Sequence, residues 1–243
     1  MTDLALPIPW LAATDETTPL PDPETALHEP NGLLAIGASL SPQRLEAAYR
    51  EGIFPWFGPG EPILWWSPDP RAILAPGELH ISRSLRRALN RRDYQVTLDT
   101  AFDRVVEACA APRVDQPGTW ITPDMQAAYS RLHVLGLAHS IEVWCSGDLI
   151  GGLYGVSLGQ AFFGESMFSG ASNGSKIAMV WLCAQLQAWG FHFLDCQMPT
   201  AHLLSMGVHC IPRQRFLLAL AASQRAATRL GPWTLEVEDW RHD

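Results

Sequence analysis

Ser140-Ile141-Glu142-Val143-Trp144, the turn Ser146-Gly147-Asp148, the run Leu149 to Ser157, the turn Leu158-Gly159-Gln160 and the run Ala161 to Ser169 together decide the architecture. Three apolar-rich segments joined by two tight glycine turns read as an antiparallel meander. Gly151-Gly152 within the second segment predicts a bulge or the close approach of another backbone. A Gly/Ser/Asn loop (169–175) follows. Lys176–Trp189 is then apolar on nearly every side, the pattern of a helix buried against a sheet. After Gly190 comes Phe191-His192-Phe193-Leu194-Asp195-Cys196-Gln197, a short strand in which period two sets Phe193, Asp195 and Gln197 on one face. Strands in succession, then helix, strand and helix, make an α+β protein with a mixed, mostly antiparallel sheet layered with helices.

Upstream, Ser41-Pro42 supplies a cap and a first-turn proline. Leu45, Ala48 and Tyr49 share one helical face, and Gly52 ends that helix. Residues 53–76 crowd aromatics among prolines and glycines, which reads as a small aromatic core under loops or as a binding surface. From Ser82 a helix sets Leu85, Ala88 and Leu89 on one face and Arg83, Arg86, Arg87 and Arg91 on the other. Tyr94–Leu98 predicts a strand, and 101–111 a helix with Phe102, Val105, Val106 and Cys109 inward. Thr122-Pro123 opens another helix with Met125, Ala128, Tyr129 and Leu132 on its inner face. At the far end the pattern predicts a short helix at Ala201–Met206, a helix from Pro212 to about Arg229, and a final strand at Pro232–Val237.

The 243 residues carry a net charge of −8, which by itself argues against a nucleic-acid partner. Its distribution weakens that objection. Residues 1–43 contain no Lys or Arg, the remainder is nearly balanced, and Arg83, Arg86, Arg87, Arg91 and Arg92 fall within ten positions with no acid among them. Such a run is a solvated face or a phosphate-binding one. No apolar run has the length of a membrane span, and the first residues do not resemble a secretory leader. Five cysteines without metal-ligand spacing suggest reduced thiols, and the chain reads as cytoplasmic.

Asp195 and Gln197 are the leading candidates for chemistry. A carboxylate and an amide in an apolar strand are costly to bury unless they are hydrogen-bonded or used. The plain alternative is a polar pair satisfied by backbone at a strand end. Glu165 sits between Phe163 and Met167 on what alternation makes the same face, and an apolar setting raises a carboxyl pKa toward that of a proton acceptor working near neutrality. Cys196 alternates away from Asp195 and reads as core. The histidine spacings support no metal site. Trp120, just before a capped helix, stacks a base or fills the core. The residues alone name no reaction.

Several strings closely resemble the bacterial leucyl/phenylalanyl-tRNA–protein transferases. They are Glu29 to Gly37 (EPNGLLAIG), Gly52 to Trp56 (GIFPW), Pro62 to Arg71 (PILWWSPDPR), Leu79 to Ser84 (LHISRS), Thr119 to Thr122 (TWIT), Gly164 to Ser169 (GESMFS) and Asp195-Cys196-Gln197. The resemblance runs from about Leu20 to about Leu220. Ahead of it, residues 1–20 read from their prolines, threonines and acids as an irregular lead-in, and the resemblance implies a small N-terminal α/β domain over 21–76 and an acyltransferase domain of the GNAT type over 77–243. It also implies transfer of Leu or Phe from aminoacyl-tRNA to the α-amine of proteins beginning with Arg or Lys, creating a degradation signal, by a monomer without cofactor, metal or membrane. Asp195, Gln197 and Glu165 would then be catalytic. Leu153, Phe162, Met167, Met179, Leu182 and Leu194 would form the pocket for the transferred side chain. Trp56 and Trp120 would bracket the terminal adenosine, with Tyr49 and Tyr129 nearby, and Arg83, Arg86, Arg87 and Arg91 would hold tRNA phosphates. The chain departs from the family pattern at Ser39, where an acid is usual, and at Gly170, where an arginine is usual. Regular alternation sets Leu194 opposite Asp195, so both can border one site only if the strand bulges or the pocket wraps its edge. Two other readings stay open: a coenzyme-A-dependent N-acetyltransferase, whose pyrophosphate loop Ser169–Ser175 fits poorly, and a non-catalytic RNA-binding module using the same arginines.

Overall fold

The computed structural model describes residues 8–112 and 119–241. In chain order its elements are β1 (Trp10–Leu11), β2 (Leu33–Gly37), α1 (Pro42–Arg50), β3 (Phe54–Pro55), β4 (Leu64–Trp66), β5 (Arg71–Leu74), α2 (Arg83–Arg91), β6 (Gln95–Leu98), α3 (Phe102–Ala110) and α4 (Pro123–Val134). There follow β7 (Ala138–Cys145), β8 (Asp148–Leu158), β9 (Ala161–Ser169), α5 (Gly174–Ala188), β10 (Phe193–Gln197), α6 (Ala201–Ser205), β11 (His209–Ile211) and α7 (Arg213–Ser223).

The helices start where the side chains dictate. Ser41, Ser82 and Thr122 each accept a hydrogen bond from the backbone N–H three residues on, and prolines occupy the first turns of α1 and α4. Four short strands form one sheet in the order β1-β2-β4-β3; the other seven form a second in the order β11-β5-β10-β9-β8-β7-β6. In the larger sheet β9 and β10 run parallel and every other neighbouring pair is antiparallel. This is the expected α+β architecture with its mixed, mostly antiparallel sheet.

Three details differ from the sequence reading. The lead-in is not irregular throughout: Trp10–Leu11 pair in parallel with Ile36–Gly37. Buried Arg44 donates to the carbonyls of Asp15 and Thr18, and Glu16 accepts from the hydroxyls of Ser39 and Ser41. A carboxylate thus stands at the start of α1 although residue 39 is Ser. Residues 1–7 of that lead-in lie outside the described residues. Second, β5 is an inner strand of the large sheet, so that sheet begins at Arg71 rather than after Pro76, and one core joins Leu34, Leu45 and Trp65 to Phe102, Tyr129 and Phe163. Third, Pro232–Val237 is no strand, and α7 ends at Ser223. The segment does alternate, with Trp233, Leu235 and Val237 turned inward and Thr234 and Glu236 outward. It lies over helices, however, and the N–H groups of Glu236 and Val237 go to the Gln185 side chain of α5 instead of to a ladder. Period two reported an extended chain, not a sheet.

The sheet has apolar packing on both faces. One face carries α1, α3, α4 and α7; the other carries α2, α5 and the carboxy-terminal segment. Gly151 of β8 and Gly174 of α5 allow the helix to touch the sheet: a Cβ on Gly151 would stand 2.3 Å from the Gly174 carbonyl carbon. The predicted close approach is therefore found.

Candidate active site

Two β-bulges on neighbouring strands build the site. Tyr154 pairs with Ser166 and Gly155 with Gly164, which leaves Glu165 as the extra residue of β9. On β10, Asp195 pairs with Ile73 and Gln197 with Ala72, leaving Cys196 as the extra residue, and Gln197 has φ of +61°. A bulge re-aims the side chains beyond it. Phe163 therefore packs with the α1/α4 side and Met167 with the α5 side. The expectation that Phe163, Glu165 and Met167 share a face is corrected. So is the expectation that Gln197 shares one with Phe193 and Asp195, because Gln197 turns to line a cavity together with Leu194 and Cys196.

Asp195 is wholly buried. Its Oδ1 accepts from Arg71 Nε at 2.9 Å and its Oδ2 from Arg71 Nη2 at 2.7 Å, a bidentate pair with neither side chain exposed. Oδ1 also accepts the backbone N–H of Gln197 at 2.9 Å, pinning the bulge. Arg71 in turn donates to the carbonyl of Gly52 and lies against the rings of Phe54 and Phe216. Asp195 thus faces Arg71 and is not a lining residue of the cavity.

Glu165 and Gln197 meet across the two strands, with Gln197 Nε2 donating to Glu165 Oε1 at 2.9 Å. On its other oxygen Glu165 accepts from the Tyr129 hydroxyl at 2.6 Å; that proton being committed, Tyr129 accepts from Tyr49 at 2.6 Å. Burial pushes the Glu165 carboxyl up to about 7 against the hydrogen bonds from Tyr129 and Gln197 and the nearby Tyr49 hydroxyl, with the nearby Asp195 charge adding to the rise. Tyr49 and Tyr129 have no exposed surface. Their expected place beside a bound adenosine is corrected: they sit on the inner faces of α1 and α4 and hold Glu165 from behind. Burial also raises the Cys196 thiol well above its ordinary range, so it stays protonated in the wall.

A cavity of about 100 Å³ is lined by Leu153, Met167, Met179, Leu194 and Leu203, with Gly164, Ser166 and Cys196 and with Glu165 and Gln197 as its polar groups. Of the six residues expected there, Phe162 and Leu182 do not line it and belong to the packing around it. A second cleft, of about 630 Å³, includes Trp56, Phe57, Leu64, Trp66, Trp120 and Ser166. Ser166 borders both, so the two spaces adjoin. Trp56 is 39% exposed and meets Trp66 edge-on at 5.6 Å, its carbonyl accepting from the Trp66 indole. Among the described residues no group of side chains could hold a metal ion.

Two sequence profiles cover most of this frame. One, described as Leucyl/phenylalanyl-tRNA protein transferase, matches residues 73–221; the other, described as the N-terminal domain of that protein, matches residues 38–69. The chain belongs to the leucyl/phenylalanyl-tRNA–protein transferase family. Relatives of that name are 63% identical over 199 residues in Nitrosomonas europaea (82% of this chain, 84% of the relative) and 55% identical over 228 residues in Alkalilimnicola ehrlichii (93% and 88%). Another, in Nitrosospira multiformis, is 54% identical over 231 residues (95% and 98%). Solved structures with a looser likeness include L-PGS from Bacillus licheniformis (13% identity, 67% of this chain and 54% of that one, TM-score 0.38) and a GCN5-related N-acetyltransferase from Kribbella flavida (9%, 71% and 61%, TM-score 0.34).

In this member of the family, the arginines of α2 lie where the helical wheel put them, exposed opposite buried Leu85, Ala88 and Leu89. They are less free of acids than the sequence suggested. Asp93 lies 3.6 Å from Arg91 and Asp239 lies 2.9 Å from Arg92, while Arg83 and Arg87 have no acidic partner among the described residues. The start of α2 is tied to the small cavity, because His80 donates its N–H to the carbonyl of Met206, at the end of α6, which carries Leu203. Sequence reasoning passed over Arg71 and Leu203. Arg71 carries a detectable signal, an arginine opening a strand of otherwise apolar residues; Leu203 carries none.

Proposed function

We propose that this chain moves Leu or Phe from the 3′ end of a charged tRNA onto the α-amine of a protein beginning with Arg or Lys. One observation carries the reading: an apolar slot of about 100 Å³, with Gln197 and Glu165 in its wall, adjoins through Ser166 a tryptophan-lined cleft of nucleoside size. The transferred side chain enters the slot. Met167 and Met179 are flexible thioethers, which suits a wall that accepts either a γ-branched or an aromatic chain. A polar side chain would leave its own groups unsatisfied there. The terminal adenosine lies in the cleft with Trp56 and Trp120.

The donor is an activated ester, so aminolysis asks for orientation, a proton acceptor and charge stabilisation. Because Gln197 gives its amide N–H to Glu165, its carbonyl oxygen is the group that can accept from the incoming amine. Glu165, held near 7, is matched to take the proton. Asp195 acts through Gln197 as a positioning residue, with Arg71 behind it. The product carries a bulky apolar N-terminus, a degradation signal. The substrate places the enzyme in the cytoplasm, where it works as a monomer, and no helix among the described residues is long and apolar enough to cross a membrane.

Incubation with tRNA carrying labelled leucine and an Arg-initiated peptide tests the reading. Label should appear on the peptide. Acylation from acetyl-coenzyme A in place of charged tRNA would refute it.

A further inference from the structure

The segment after α7 lies beyond the family profile, which ends at residue 221. Without strand or helix it crosses the α5 side of the sheet as a strap. Trp233 donates its backbone N–H to Asp99 at 2.7 Å and stacks on His139 at 3.7 Å; Glu236 and Val237 donate theirs to Gln185. Asp239 then pairs with Arg92 at the end of α2. These ties deliver Trp240 and Arg241 to the arginine helix. The Arg86 guanidinium lies over the Trp240 ring at 5.6 Å and that of Arg241 over the same ring at 5.3 Å. The indole is 4% exposed, so it is a fixed and largely dry plane. A guanidinium held over such a ring keeps N–H groups free for an oxyanion such as a phosphate.

We propose that the strap is part of the RNA-binding face, and that Arg241 and Arg86, both seated on Trp240, take backbone phosphates of the charged tRNA. The occupant follows from charge and continuity. Arg83, Arg86, Arg87, Arg91, Arg92 and Arg241 are all exposed here, against Asp93, Glu238 and Asp239. Arg86 has no acidic partner among the described residues, whereas Arg241 donates to Asn90 at 3.1 Å and has Asp239 at 3.8 Å. A guanidinium restrained in advance loses less freedom on meeting its phosphate than one on a free side chain. The proposal rests on the reading that α2 holds charged tRNA.

The test measures binding of leucyl-tRNA to the full chain across a salt series, with a thermal melt of each variant. Arg241→Glu should weaken binding about tenfold near about 0.1 M salt and lower the slope of log K against log salt by about one contact. Arg241→Lys should restore most of both, and neither variant should shift the melting midpoint. Binding and slope equal to wild type in Arg241→Glu would sink the strap proposal alone. Weaker binding that tracks a lowered melting midpoint with an unchanged slope would also overturn it, since the strap would then be only structural. A wild-type chain that binds no charged tRNA would instead sink the reading beneath it.

Discussion

Glu165 gives up favourable solvation to sit between Tyr129 and Gln197, and that sets its response to pH. Its folded-state pKa of about 7 stands above the ordinary 4.5. Between those values the folded chain keeps a proton that the unfolded chain has lost. Stability therefore falls as pH rises from about 4.5 to 7 and levels off above, by at most about 3 kcal/mol. Glu165→Gln should flatten that decline in a pH series of denaturant melts. The same variant bears on rate. Ionised Glu165 grips the Gln197 amide through a charge-assisted bond, so kcat/KM should rise with pH through about 7 in wild type. In Glu165→Gln that limb should vanish, with activity down about 10²-fold or more, leaving only ionisation of the acceptor amine near about 7.7–8.0. A limb near 7 that survives the substitution would remove Glu165 from the proton path.

At the scale of elements, the helices were legible, while of the two bulges that build the site the one in β10 was raised only by the conflict between Leu194 and Asp195 and the one in β9 not at all. Caps and inner faces of α1 and α4 follow from Ser41-Pro42 and Thr122-Pro123 and from apolar spacing. That same spacing had already turned Tyr49 and Tyr129 inward, and only the resemblance drew them toward the adenosine. The meander and its glycine contact were readable because turn chemistry and period two are local. A bulge is one extra residue opposite a partner far away in sequence, so no local period announces it. For that reason Glu165 and Gln197 were named as site residues while the faces assigned to them were wrong. The strap escaped detection because its alternation is genuine and its backbone partner is a side chain, Gln185. For α2, whose periodic face was plain, Arg83→Glu with Arg87→Glu should raise KM for charged tRNA about tenfold or more at low salt and flatten its salt dependence. If only kcat fell, the RNA would lie elsewhere.

Across the whole molecule, Arg71 is the member that joins the parts. It reaches Asp195 on β10 and the Gly52 carbonyl after α1, and it lies between aromatic rings from β3 and α7. Asp195→Ala would strand that guanidinium in the interior and cost about 3–5 kcal/mol, seen as a lower denaturant midpoint along with lost transfer. The double change Arg71→Met with Asp195→Leu should recover most of the stability and none of the activity. Recovery of both would show that the pair only fills space. The contact of Gly151 with Gly174 reaches further than packing. It sets how far the amino end of α5 stands from the sheet, and Met179, farther along that helix, is one wall of the slot. On the proposed reading of the slot, the missing side chains act as a spacer gauge for donor choice, placed outside the slot they calibrate. Gly151→Ala would wedge the helix outward, and kcat/KM for phenylalanyl over leucyl donors should rise about tenfold. An unchanged ratio in a competition assay would mean the slot's width is set at its own walls.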